Sequence, residues 1–61
     1  MRRIRETRRA KKFTQRQLSI ATGLQQSSIS RLENGKQHAK LKDLNRIARA
    51  LGVPVTQLIE S

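Results

Sequence analysis

The strongest hydrophobic pattern in the chain is Leu41, Leu44, Ile47, Ala48 and Leu51, which recur at i, i+3, i+6, i+7 and i+10. That spacing predicts an amphipathic helix closed by Gly52. Upstream, Thr14 to Gln17 has the S/T-x-x-E/Q form of a capping box, and Phe13 and Leu18 stand where a hydrophobic staple needs them. A helix is therefore predicted from Gln15 to Thr22, stopped by Gly23 in the left-handed conformation with Leu24 as an apolar plug. A further helix is predicted from about Gln26 to Asn34, ending at Gly35, although Gln25 is a poor N-cap. Its inner face is Ile29 and Leu32, while Gln26, Ser27, Ser30, Arg31 and Asn34 fall on the other side and are all polar.

The two ends carry weaker patterns. Between Arg2 and Lys12 there is no Gly or Pro, so a helix is permitted, but only Ile4, Thr7 and Ala10 offer an inner face. A solvated arm is the alternative, and Phe13, the single aromatic, marks where a helix would dock. Pro54 allows a last short turn from Val55 to Glu60, whose Val55, Leu58 and Ile59 are too apolar for a free tail. The longest irregular stretch is Lys36 to Lys40, and no repeat or linker interrupts the chain. One domain over residues 1–61 is expected, in the all-α class.

Composition narrows the chemistry. A chain of 61 residues buries only about 60% of its unfolded surface, so stability is marginal. There is no cysteine and a single histidine, His38, so neither a disulfide nor a histidine or thiolate metal site can staple the fold; no cofactor is expected. Apolar residues make up 34% and aromatics 2%, which suits a helical core of Leu, Ile, Val and Ala and no sheet. Fourteen Lys and Arg against four Asp and Glu leave a net charge of +10. Such charge opposes compaction unless a polyanion relieves it, and nucleic acid is the first candidate. An anionic membrane surface is the second. No 18-residue apolar run could cross a bilayer, and no apolar core of a signal peptide follows the basic start, so a cytoplasmic location is expected. A membrane-active peptide would need a broad apolar face with Trp or Phe anchors. An enzyme is disfavoured because the few acids, one His and no Cys leave no set of nucleophile, base and orienting group.

Two short helices joined by a tight turn at Gly23, the second with a polar outer face, are how a helix-turn-helix presents side chains to base edges. A small residue is required at Ser19, where the helices cross, and Leu18, Leu24, Ile29 and Leu32 supply the contacts that fix the angle. The run Phe13-Thr-Gln-Arg-Gln-Leu-Ser-Ile-Ala-Thr-Gly-Leu-Gln-Gln-Ser-Ser-Ile-Ser-Arg-Leu-Glu-Asn-Gly-Lys36 resembles the Cro/C1-type (Xre) helix-turn-helix family. With Ala-Leu-Gly-Val from Ala50 to Val53, the resemblance extends to Leu58 and implies a five-helix, lambda-repressor-like DNA-binding domain with its helix-turn-helix at about residues 15–34. It implies that the helix after Gly23 lies in the major groove of double-stranded DNA, with Gln26, Ser27 and Arg31 as the main base readers and Ser30 as a lesser one. Chemistry agrees: glutamine bonds adenine N6 and N7, and arginine bonds guanine O6 and N7. The chain departs from the family pattern at Ser19, Gln25 and Ala39, where Ala, a good N-cap and Pro are common.

Phosphate contacts are expected from Gln15, at a helix N-terminus where amides and macrodipole favour anions, and from Asn34 and Lys36 beyond the reading helix. Arg16, Lys40 and Lys42 are additions, while Arg46 and Arg49 are read as solvated and His38 as a loop residue. Glu33 is wrongly placed for both the macrodipole and phosphates, so it should point inward. The family resemblance implies a buried salt bridge between it and Arg8. A homodimer on an inverted repeat is expected because one module covers little DNA. Val55, Leu58 and Ile59 are its candidate patch, with core packing as the competing use of Val55 and Leu58. A repressor is the leading expectation; an antitoxin that binds a protein partner and represses its own operon is the alternative.

Overall fold

How each helix stops determines where the next one starts, and two devices are used: a paired motif around a left-handed residue after the first, third and fourth helices, and a single amide bond at Gly23 after the second. The computed structural model describes residues 2–59, with α1 at Arg2–Ala10, α2 at Gln15–Thr22, α3 at Gln26–Glu33, α4 at Leu41–Leu51 and a closing 3₁₀ turn at Val55–Leu58. The N-terminal segment is thus a helix, not a solvated arm. Its last carbonyls are capped by the Lys12 amide bonding Arg9 at 3.0 Å and the Phe13 amide bonding Arg8 at 3.0 Å. This paired geometry needs a left-handed residue at the turn. Lys12 takes that role at φ 64° with no glycine to ease it.

α2 begins as its sequence signals, with both halves of the capping box formed: the Gln17 amide donates to Thr14 Oγ1 at 3.0 Å, and the Thr14 amide donates to Gln17 Oε1 at 2.9 Å. It ends at Gly23, φ 77°, whose amide reaches the Ser19 carbonyl at 2.9 Å. Three hydroxyl contacts then brace the turn. Thr22 Oγ1 donates to the Leu18 carbonyl at 2.7 Å and accepts from the Leu24 amide at 3.2 Å, while Ser19 Oγ donates to the Leu24 carbonyl. The small residue at position 19 therefore has a bonding role as well as a steric one.

α2 packs on both α3 and α4, α1 packs on α3 and the closing turn, and α4 packs on that turn from the other side. Every element supplies at least one fully enclosed side chain: Ile4, Leu18, Ile29 with Leu32, Ile47 and Leu58. Each such side chain stabilises by about 1.5–3 kcal/mol, so no element is dispensable. Phe13, Leu24, Ala39, Ala50, Val53 and Val55 pack against this core from its edge.

Several expectations are corrected. There are four α-helices and not five among the described residues; the fifth element is a single 3₁₀ turn, because Pro54 precedes it and Ile59 already has extended backbone at φ −86°, ψ 125°. Glu60 lies outside the described residues. Leu58 is 0% exposed and belongs to the core, so it is removed from the dimer patch; Val55 is half-buried against the same core, and Ile59 is 46% exposed. On α1 the inner positions are Ile4, Thr7 and Arg8, with Ala10 exposed. Leu41 is 64% exposed despite its helical register, whereas Leu44, three residues on, is buried. α3 ends at Glu33, one residue early, with Asn34 as its cap. No described helix is long and apolar enough to cross a membrane.

Lys12→Gly should stabilise the protein by about 1 kcal/mol by removing the left-handed penalty of a side chain. Gly23→Ala should cost about 1–2 kcal/mol and no more, since an added Cβ would meet no atom within 4 Å. Urea unfolding of the two variants against the parent measures both.

Candidate nucleic-acid interface

α3 is amphipathic in a way that leaves a polar surface to solvent. Ile29, Leu32 and Glu33 are buried, Gln26, Ser27, Arg31 and Asn34 are exposed, and Ser28 and Ser30 are half-buried. The helix starts without help: Gln25 has extended backbone and its side chain makes no capping bond. At its other end the Lys36 amide bonds the Arg31 carbonyl at 2.9 Å around a left-handed Gly35 at φ 73°, which turns the following loop back toward the helix.

The orientation of that surface is set from below by Glu33, 4% exposed. Arg8 Nε donates to Glu33 Oε2 at 2.6 Å and Arg8 Nη2 to Oε1 at 3.1 Å, a two-pronged pair of α1 with α3. Arg8 Nη1 also donates to the Phe13 carbonyl at 2.8 Å, so the same guanidinium holds the α1–α2 turn. Gln15 Nε2, at the start of α2, donates to Glu33 Oε1 at 3.1 Å. Arg5 Nε lies 3.6 Å from that oxygen. Burial pushes the Glu33 carboxyl up, but the hydrogen bonds from Arg8 and Gln15 and the charges of Arg8 and Arg5 outweigh it and hold the group below the usual carboxylate range. Among the described residues no buried side-chain nitrogen or oxygen lacks a partner.

The structure brings Arg8, Gln15 and Asn34 of the sequence-predicted set together around the C-terminal turn of α3. Gln15 keeps its carbonyl oxygen and second amide hydrogen available, although its placement is now explained by Glu33 as well as by helix α2. Asn34 Nδ2 donates to Ser30 Oγ at 3.4 Å, and Asn34 Oδ1 accepts from Arg5 Nη2. Arg16, Lys36 and Lys40 are exposed and form no ion pair with a described residue. Gln26 and Ser27 stand free at the first turn of α3, where the uncapped amides are.

Two participants escaped sequence reasoning. Arg5 has a faint signal, since it lies at i−3 from Arg8 and shares its helix face. Gln37, whose Oε1 accepts from Arg31 Nε at 3.1 Å, had none, because the contact depends on the path of the loop after Gly35. Lys42, Asn45, Arg46 and Arg49 line a separate cleft of about 410 Å³ with Ala21 and Thr22. That cleft lies between α2 and α4, whereas α3 packs on α2 and α1.

A polar helix set across a short, glycine-turned partner defines the helix-turn-helix class. Residues 4–58 match the helix-turn-helix family profile, and the chain belongs to that family in its Cro/C1 (Xre) form. An uncharacterised HTH-type transcriptional regulator of Bacillus subtilis (strain 168), RghRB, is 39% identical over 57 residues, 92% of this chain and 41% of that protein. A second, y4dL of Sinorhizobium fredii, is 42% identical over 52 residues, 85% of this chain and 26% of that protein. The chain thus spans less than half the length of either relative. The crystal structure of the restriction-modification controller protein C.AhdI from Aeromonas hydrophila is similar with a TM-score of 0.91 at 31% identity, over 95% of this chain and 88% of that one.

Arg8→Ala should cost about 3 kcal/mol, the lower end for a broken buried pair, because it strips Glu33 Oε2 of its donor while Gln15 and Arg5 still serve Oε1. Because the carboxyl of Glu33 is held low in the folded state, its contribution is fully present above its ordinary value and is lost as pH falls through the folded value. Acid titration of the unfolding free energy should show that loss in the parent. A parent whose stability does not fall with acid would contradict the assignment.

Proposed function

We propose that this chain is the DNA-binding domain of a transcriptional regulator, spanning residues 1–61 as one unit, with α3 in the major groove of double-stranded DNA. The observation that supports this most directly is the exposed polar face of α3, held at a fixed angle by the buried Glu33 anchor while its first turn is left open. In this reading Gln26, Ser27 and Arg31 meet base edges, with Ser30 close behind them. Gln15, Arg16, Asn34, Lys36 and Lys40 contact phosphates. Positive charge supplies the non-specific part of binding through counterion release, and the α3 side chains supply discrimination of about 1–3 kcal/mol for each good bidentate pair.

The regulator acts as a homodimer on an inverted repeat, its half-sites about 34 Å apart, one turn of duplex. Ile59 with the exposed part of Val55 is the apolar patch assigned to pairing in this reading. Occlusion of a promoter by such a dimer gives repression. The relatives, two transcriptional regulators and a restriction-modification controller, support regulation as the role.

Selection of bound duplexes from a random pool should enrich a two-fold symmetric site. Arg31→Ala should relax preference at one position in each half-site and leave the others intact. Lys36→Ala should weaken binding to every duplex and reduce the slope of log affinity against log salt by about one. Binding isotherms at a series of salt concentrations separate the two behaviours. A pool returned without enrichment would end the proposal.

A further inference from the structure

Arg31 is not a free side chain, and its restraint bears on which base it can read. Nε donates to Gln37 Oε1 at 3.1 Å, and Nη2 donates to Ser28 Oγ at 3.5 Å, the limit of a hydrogen bond. A guanidinium carries five N–H donors in a rigid fork and accepts nothing. Those two bonds leave both hydrogens of Nη1 and one of Nη2, so the donors that remain lie at the end of the fork.

We propose that Gln37 sets Arg31 to read guanine, and that Gln37 is thereby a specificity-determining residue although it touches no base. The inference rests on the reading of α3 as the helix that meets base edges, and it names the base. In the major groove guanine offers two neighbouring acceptors, O6 and N7, which match an end-on pair of donors. Adenine sets an N6 donor beside N7, so one prong would face another hydrogen. Thymine offers O4 alone beside a methyl group, and cytosine presents a donor. Only guanine accepts both prongs.

The restraint comes from a separate segment of chain. Gln37 lies in the loop after α3, and that loop is turned back by Gly35 and by the Lys36 amide on the Arg31 carbonyl. An arginine held in this way loses less side-chain freedom on binding than a loose one. The gain applies only where both prongs find acceptors, so it raises affinity for guanine and leaves the other bases unaffected. Discrimination rises, and general affinity stays as it was.

The test measures binding to four duplexes that differ only at the position where Arg31→Ala loses its preference. The parent should prefer guanine there. Gln37→Ala should reduce that preference about three- to tenfold, with affinity for the other three bases unchanged. Gln37→Glu keeps an acceptor for Nε and should retain the preference while weakening all four duplexes through its charge. Gln37 is exposed, so thermal melting of its variants should match the parent. Another base preferred at that position would overturn the inference, as would an undiminished preference in Gln37→Ala. An equal loss on all four duplexes would assign Gln37 to phosphate and also overturn it. If the parent selects a site but Arg31→Ala changes no position, this inference falls and the DNA-binding reading stands. If the parent selects nothing, both fall.

Discussion

A carboxylate buried in a strongly cationic chain is the interaction on which the arrangement of helices depends. Glu33 receives Arg8 from α1 and Gln15 from the first turn of α2, with Arg5 close by. Desolvating a charge is expensive, and an ion pair in a protein interior seldom adds much net stability over a well-packed apolar pair. Its effect here is directional. Apolar contacts among Leu18, Ile29 and Leu32 tolerate sliding and rotation, whereas a two-pronged guanidinium–carboxylate pair accepts one geometry. The Glu33 site therefore determines how α3 is rotated about its axis, and so which side chains it offers to solvent.

The same pair eases an electrostatic conflict. An acid at the C-terminal end of a helix opposes the macrodipole, and Glu33 would be unfavourable there if exposed. Turned inward, it neutralises part of the charge carried by α1, whose five arginines would otherwise repel one another along a nine-residue helix. The remaining positive charge is left on the surface. The fold thus places one compensated pair, Arg8 with Glu33, inside between α1 and α3, and leaves most of the net positive charge at the surface.

What was legible in the sequence divides by the range of the interaction responsible. The bounds of α2 could be read because Thr14, Gln17 and Gly23 act within a few residues of themselves, and the structure shows each in that role. The end of α1 could not, because Lys12 adopts a left-handed conformation that its residue type disfavours, with Phe13 next to it packed at the core edge. Leu41 misled because periodicity reports the face of a helix and not where the neighbouring layer stops. For Leu58 the apolar pattern leaves core and dimer patch as competing uses, and the closing turn, packed on both α1 and α4, gives it wholly to the core. The inward turn of Glu33 followed from a charge argument, its partner only from family resemblance. The Arg31–Gln37 bond rests on loop geometry that no local pattern encodes.

α3 is held very differently at its two ends. Its last turn is fixed by Glu33 and closed by the Lys36 amide, while its first turn has no side-chain cap at Gln25. The turn leading into that end is braced by Thr22 and Ser19, so what is missing there is an acceptor and not rigidity. An acceptor arriving from outside beside Gln26 and Ser27 can therefore take the place of the absent cap while the interior stays undisturbed.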